Sequence, residues 1–286
     1  MPVFDTPEPI SVTIDRIVGE VHLVASDRTD TSVDVRPADP SRPADIRGAE
    51  KTLVECSAGR LVIRGPKQPN FLGRADKVDV TIELPTGSRL DCDLDLGSIT
   101  SEGRLGDVRL KLSLGEIQLD TTKALQVHGS YGRLVVDRVD GDADISTGKE
   151  IRVGHIAGMG KIKNSNGSTR VGQAAGDLYV KAANGDIDID HADAGVTAKT
   201  ANGSIRVGEV AGGGVILETA AGEIRVGIRP GIPAYLDVAT QYGRVLNSLD
   251  PADGPKQSEV AVDVRARTAA GDIVISRSAA DTEVSR

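Results

Sequence analysis

The 286 residues carry 34 basic and 42 acidic side chains, a net charge of −8, and only 2 % aromatics with no Trp. Nucleic-acid binding is not expected from that balance, because phosphate contacts need an excess of Lys and Arg. No run approaches the ~20 apolar residues of a helical membrane span, so membrane insertion is not expected either.

The opening MPVFDTPEPISVTIDRIVGE has no basic segment followed by an apolar one, and no signal peptide is expected. Alternating apolar positions predict strands over Ile10–Ile17, Glu20–Ala25 and Thr31–Val35. Residues 36–50 are polar, contain three prolines and read as a loop. Thr52–Cys56 and Arg60–Arg64 predict a hairpin across Ser57-Ala58-Gly59. A loop over 65–75 precedes Lys77–Leu84, a strand with Val78, Val80, Ile82 and Leu84 on one face. Pro85-Thr86-Gly87 then turns the chain into a strand over Arg89–Leu94. Residues 1–96 thus read as an N-terminal β-strand cap continuous with the repeats C-terminal to it.

From Gly97 a repeat takes over. Glycines open units at 97, 115, 132, 148, 167, 185, 203, 222, 243 and 271, most of them 16 to 19 residues apart. A fixed period of that length signals a solenoid. Period-2 alternation and two or more glycines per unit exclude helical repeats. In Gly185-Asp-Ile-Asp-Ile-Asp, Ile187 and Ile189 face one way and Asp186, Asp188 and Asp190 the other. Three carboxylates cannot face a dry core, so the isoleucines are inside. The same register places Ile205 with Val207 and Ile224 with Val226 inside. Half a unit later Leu178 with Val180, Val196 with Ala198 and Val215 with Leu217 repeat the pattern. Each unit supplies two short strands, and stacked coils bury a thin aliphatic core.

Corners are expected at Asn166-Gly167, Asn184-Gly185 and Asn202-Gly203, where both residue types tolerate positive φ. Val-Gly pairs at 153–154, 171–172, 207–208 and 226–227 predict the next bend. Loops at 229–233 and 249–258 interrupt the repeat, Glu259–Thr268 and Asp272–Ser276 are expected to close it, and 277–286 reads as a flexible tail. The solenoid is expected over 97–276. The fold class is all-β: a parallel β-helix-like solenoid with coils of about 18 residues and the N-terminal β cap.

The recurring Asn-Gly-x-Ile-x-Val and Gly-Asp-Ile/Leu-x-Val patterns, preceded by Val80–Gly87, resemble a bacterial β-strand-repeat family of unknown function. Its members are often labelled "putative adhesin". The resemblance spans about Ile10 to Ser276 and implies a right-handed solenoid. It brings no catalytic residues.

The candidate site is an outward ladder, Arg152, Arg170, Asp188, Arg206 and Arg225, each between two inward apolar positions. It reads either as a face that binds an anion or an acidic partner, or as a solvated face that limits like-charge repulsion. The cluster Asp186, Asp188, Asp190, His191, Asp193 is acidic enough to consider a hard cation, but neighbouring coils carry Arg at the matching position, so no metal is expected. His155–Lys161 lacks the glycine and the Ser/Thr of a phosphate loop. Cys56 and Cys92 have no ligand or redox spacing and read as buried thiols in a reducing compartment, with a single disulfide as the alternative. No cofactor is expected.

The leading expectation is a non-enzymatic cytoplasmic β-solenoid that offers a surface to a protein partner. A self-assembling scaffold of the bactofilin type is a second reading, since solenoid ends offer strand edges. A polysaccharide-active β-helix enzyme is a third, weakened by dispersed charges and scarce aromatics.

Overall fold

The computed structural model describes residues 1–66, 76–130, 132–250 and 261–278. The expected loops lie outside those residues at 67–75 and 251–260, as does the tail from 279. The chain divides into two compact units, Met1–Lys149 and Glu150–Arg286.

The first unit begins with β1 (Val3–Asp5), β2 (Ser11–Ser26) and β3 (Asp30–Pro37). β2 is one strand where two were expected, because the chain bends at Gly19 (φ +140°) without leaving its ladder. A helix, α1 (Pro43–Lys51), comes next where the prolines suggested only loop. Pro43 sits in its first turn, where a missing N–H leaves no bond unmade. Asp45 in the first turn and Lys51 in the last complement the helix dipole. Asp45 is buried, accepts the Lys77 N–H at 3.0 Å and pairs with Arg42 at 3.2 Å. That tertiary anchor is what the local sequence does not reveal.

The predicted hairpin is present as β4 (Leu53–Ser57) and β5 (Arg60–Arg64). Its turn residues Ala58 and Gly59 both take positive φ, which matches the strand twist of a two-residue turn. Then come β6 (Val78–Pro85), the 42-residue β7 (Arg89–Ser130), β8 (Leu134–Val139) and β9 (Ala143–Thr147). Parallel pairing reaches back into the N-terminal segment, since β2 runs in register with β7 at Val12↔Leu90 and Gly19↔Gly97. β5 and β6 lie along the other side of β2, also parallel. The chain therefore lays down one coil, adds an outer one, then crosses back. β3 on β6, β1 on β3 and β4 on β5 are antiparallel and form the β cap.

The second unit holds β10 (Ile151–Ile156), β11 (Gly160–Asn166), β12 (Thr169–Ala174), β13 (Leu178–Asn184), β14 (Ile187–Ala192), β15 (Val196–Asn202), β16 (Ile205–Val210), β17 (Gly213–Ala221) and β18 (Ile224–Ile228). Each pairs in parallel with the strand two along, so β10-β12-β14-β16-β18 and β11-β13-β15-β17 form two runs. This is the expected solenoid, two strands to a coil. Ile187, Ile205 and Ile224 stack in register and are fully buried.

The end of this unit differs from expectation. β19 (Ala234–Tyr242), β20 (Val245–Asn247), β21 (Val262–Ala270) and β22 (Ile273–Arg277) complete the chain. β21 slots between β17 and β19, and β22 between β18 and β20. The last coil in sequence is therefore interior, and β19/β20 form the edge. Burial follows the order: Val262, Val264, Ala266, Ile273 and Ile275 are fully buried, whereas Leu246 and Val245 at the edge stay exposed.

One contact repeats through both units. Gly185 takes φ +126°, and a Cβ there would stand 2.2 Å from the Gly167 carbonyl oxygen. Gly203 (φ +146°) meets the Gly185 carbonyl at the same 2.2 Å. In the first unit Gly115 closes on Gly97, and Gly97 on Gly19. The asparagines before these glycines do not need positive φ: the only non-glycine residues with it among those described are Arg16 and Ala58. Inward hydroxyls complete the corner. Thr219 Oγ1 donates to the Gly203 carbonyl at 2.9 Å and Thr268 Oγ1 to that of Gly222 at 3.1 Å.

Gly203→Ala is expected to destabilise the chain by about 2–4 kcal/mol, because it adds a backbone clash to a strained φ. Gly214→Ala, with open space around the added carbon, should stay within about 0.5 kcal/mol. Urea unfolding midpoints compare the two.

Candidate functional site: the charged outer face of the second unit

The outward ladder stands as one row. Arg152 is in register with Arg170, Arg170 with Asp188, Asp188 with Arg206 and Arg206 with Arg225. Adjacent members are ~4.8 Å apart along the stack. The row ends at Val274 on the next strand. Alternating burial in β14 and β16 aims Asp188 and Arg206 outward between buried neighbours.

The members differ in how they are satisfied. Arg152 pairs with Glu150 at 3.4 Å, and Arg170 with Asp188 at 3.4 Å. Arg225 reaches Glu223 Oε1 from two nitrogens, at 2.6 and 2.9 Å. Arg206 makes no hydrogen bond or ion pair among the described residues, since the carboxylate in register with it bonds Arg170 instead.

Arg206 borders an open cleft of about 390 Å³, with Asp190, His191, Glu209 and Ser278 around it. Glu209 is already engaged: it accepts the Ser278 hydroxyl at 2.6 Å and Arg229 Nε at 2.7 Å. Those two donors hold its carboxyl below the ordinary glutamate value. Arg229 also reaches Asp193 at 3.4 Å, and Gln173 Nε2 donates to the same carboxylate at 3.0 Å. The cleft thus offers a free guanidinium beside fixed partners, an arrangement suited to gripping a carboxylate in two-point fashion. The Ser278 backbone is pinned by its N–H to the Ile228 carbonyl at 2.9 Å, and Arg277 Nη1 reaches the Ile232 carbonyl at 2.7 Å. The first two residues of the expected tail are therefore fixed.

The other motifs resolve into structure. Asp186 accepts the Ser204 N–H at 2.8 Å, Asp188 faces Arg170 and Asp193 faces Arg229, so the acidic cluster is dispersed over separate partners. His155–Lys161 runs from β10 into β11 with no helix after it, which removes the N-terminal dipole a phosphate loop uses. Asn202, Asn184 and Asn166 hand side-chain amide bonds from coil to coil at 2.9 and 3.0 Å. Cys56 and Cys92 are free, and only Cys92 is buried as expected: Cys56, on the antiparallel strand β4, is half-exposed. Burial pushes the Cys92 thiol far up, helped by Asp93 and Asp91, so it is a packing residue rather than a nucleophile. One row was missed in the sequence: Lys163, Lys181 and Lys199 stand in register on β11, β13 and β15. Their spacing of 18 residues is the signal, at the outward position of the second strand of each coil.

The family model described as Toastrack DUF4097 matches residues 12–285. The chain belongs to the Toastrack family. No curated protein matches it. Solved structures similar to this Toastrack chain include a "putative adhesin" from Bacteroides fragilis, 14 % identical, covering 96 % of this chain and 95 % of that one with a TM-score of 0.38. A "putative adhesin" from Parabacteroides merdae is 12 % identical, covering 96 % and 94 % with a TM-score of 0.36. A "putative lipid binding protein" from Parabacteroides distasonis is 11 % identical, covering 96 % and 95 % with a TM-score of 0.30. The architecture of this Toastrack chain rests on the strand pairing described above.

Glu209 gives the site a pH signature. Its folded value lies below the ordinary 4.5, so the stabilisation is complete above about 4.5 and is lost as pH falls through the lowered value. Thermal melts by circular dichroism across that acid range should fall more steeply for the wild type than for Glu209→Gln.

Proposed function

We propose that this Toastrack chain is a non-enzymatic interaction module that presents the outer face of its second unit to an acidic protein partner in the cytoplasm. The observation that carries the reading is Arg206, a solvent-facing guanidinium without a partner among the described residues, in a row whose other charges are paired. A partner carboxylate completes the pairing that Asp188 withholds. The regular stack holds the row rigid, so little ordering entropy opposes docking. The engaged state of Glu209 and the raised Cys92 thiol favour recognition over acid–base or nucleophilic chemistry. Free thiols at Cys56 and Cys92 suit a reducing compartment.

A second reading, self-association, is favoured by one observation. β19 pairs with β21 along one side, and Tyr235, Tyr242, Val245 and Leu246 are exposed on this terminal coil. Light scattering at rising concentration separates the readings, since a strict monomer removes the scaffold.

Affinity capture with the wild type and with Arg206→Glu/Arg225→Glu tests the leading proposal. Capture of a reproducible partner by the wild type, weakened at least about tenfold in the variant, supports it. Equal capture by both proteins, or no reproducible partner, contradicts it.

A further inference from the structure

The lysine row occupies a different face from Arg206. Lys163, Lys181 and Lys199 project from β11, β13 and β15, the run of strands that does not carry the arginine ladder. Like charges directly opposite on neighbouring strands repel. Elsewhere in this unit opposite charges pair across coils at Arg170–Asp188, Arg229–Glu209 and Arg267–Asp237, and Arg152 and Arg225, which stand beside like charges, pair with Glu150 and Glu223. Lys199 keeps that pattern through Glu218 at 2.7 Å. Lys163 and Lys181 do not: both are exposed, and neither makes an ion pair or hydrogen bond among the described residues. Tyr179, also exposed, stands beside them one outward position earlier on β13.

An open groove of about 530 Å³ adjoins the Lys199 end of the row, lined by Lys199, Glu218, Ala220, Arg267 and Ala269.

Spacing selects the occupant. Three lysines on adjacent parallel strands span about 10 Å. Carboxylates at i, i+3 and i+7 of an α-helix span about 10.5 Å on one side. The same three charges on one face of an extended peptide span about 13 Å, which falls out of step with the row. A linear row also matches one stripe of a helix better than the broad patch a membrane surface needs.

We propose that this face binds an acidic α-helix of a partner protein, lying along the stacking direction with a two-turn carboxylate stripe against Lys163, Lys181 and Lys199. The inference rests on the reading of the chain as an interaction module and names the chemistry of a partner at a second face. Tyr179, exposed one outward position before Lys181, offers its ring to the side of that helix.

The test uses the full chain and three probes. These are a capped Ala-rich helical peptide with Glu at i, i+3, i+7 and i+10, a composition-matched peptide with Glu spread around the helix, and phosphatidylserine vesicles. The striped peptide should bind at least about tenfold tighter than the permuted one, and more weakly as salt rises. Lys163→Glu/Lys181→Glu should abolish that preference, Lys163→Arg/Lys181→Arg should keep it, and Arg206→Glu/Arg225→Glu should leave it unchanged. Equal binding of both peptides, or no peptide binding, overturns the proposal. Lysine-dependent binding to vesicles without peptide selectivity also overturns it and assigns the row to a membrane surface. If the peptides fail while Arg206-dependent capture persists, the helix inference falls and the interaction-module reading stands.

Discussion

The structure depends on one contact: the carbonyl oxygen of a corner glycine occupies the space where the next corner's Cβ would be. Stacked parallel strands bring successive corners to the same place. There the chain must both turn and let the neighbouring backbone in. Only glycine does both, since it accepts positive φ and presents no side chain. Inward threonines such as Thr219 then give those corner carbonyls a hydroxyl donor, so a polar turn can border a dry core. The core can be thin and purely aliphatic because every coil repeats the one before.

That constraint converts a sequence period into surface chemistry. With the corner fixed every 16 to 19 residues in most of the repeat, residues one coil apart become neighbours in space. A residue type kept at one outward position becomes a row. Where charges alternate, as at Arg170 and Asp188, the row closes on itself. Where they do not, as at Lys163 and Lys181, charge is left facing outward. Both units also return the chain into their interior near the chain ends. β5/β6 lie outside β2, and β21/β22 lie inside β19/β20. A segment held between two others must break two ladders to leave, so this stitching resists fraying where solenoids are weakest.

Most of the fold was legible because alternation and glycine spacing are local signals. Ile187 was placed inside by the aspartates around it and Ile205 and Ile224 by the same register, and they stack there. The ladder from Arg152 to Arg225 came from the same register. What the sequence hid was non-local. α1 depends on Asp45 meeting the Lys77 backbone across 32 residues. The order of the last coils depends on β21 pairing with both β17 and β19, which no window along the chain contains. The Lys163–Lys199 row was visible in principle, but only after the second strand of each coil was read outward as carefully as the first.

Coil register in solution is the property on which both charged faces depend. Spin labels at Arg152→Cys and Arg225→Cys, with Cys56 and Cys92 replaced, sit four strand steps apart in the second unit. Electron–electron double resonance should give a narrow distribution centred near 20 Å, which is four spacings of ~4.8 Å. A broad distribution, or one centred beyond about 30 Å, would show that the coils do not stack in register.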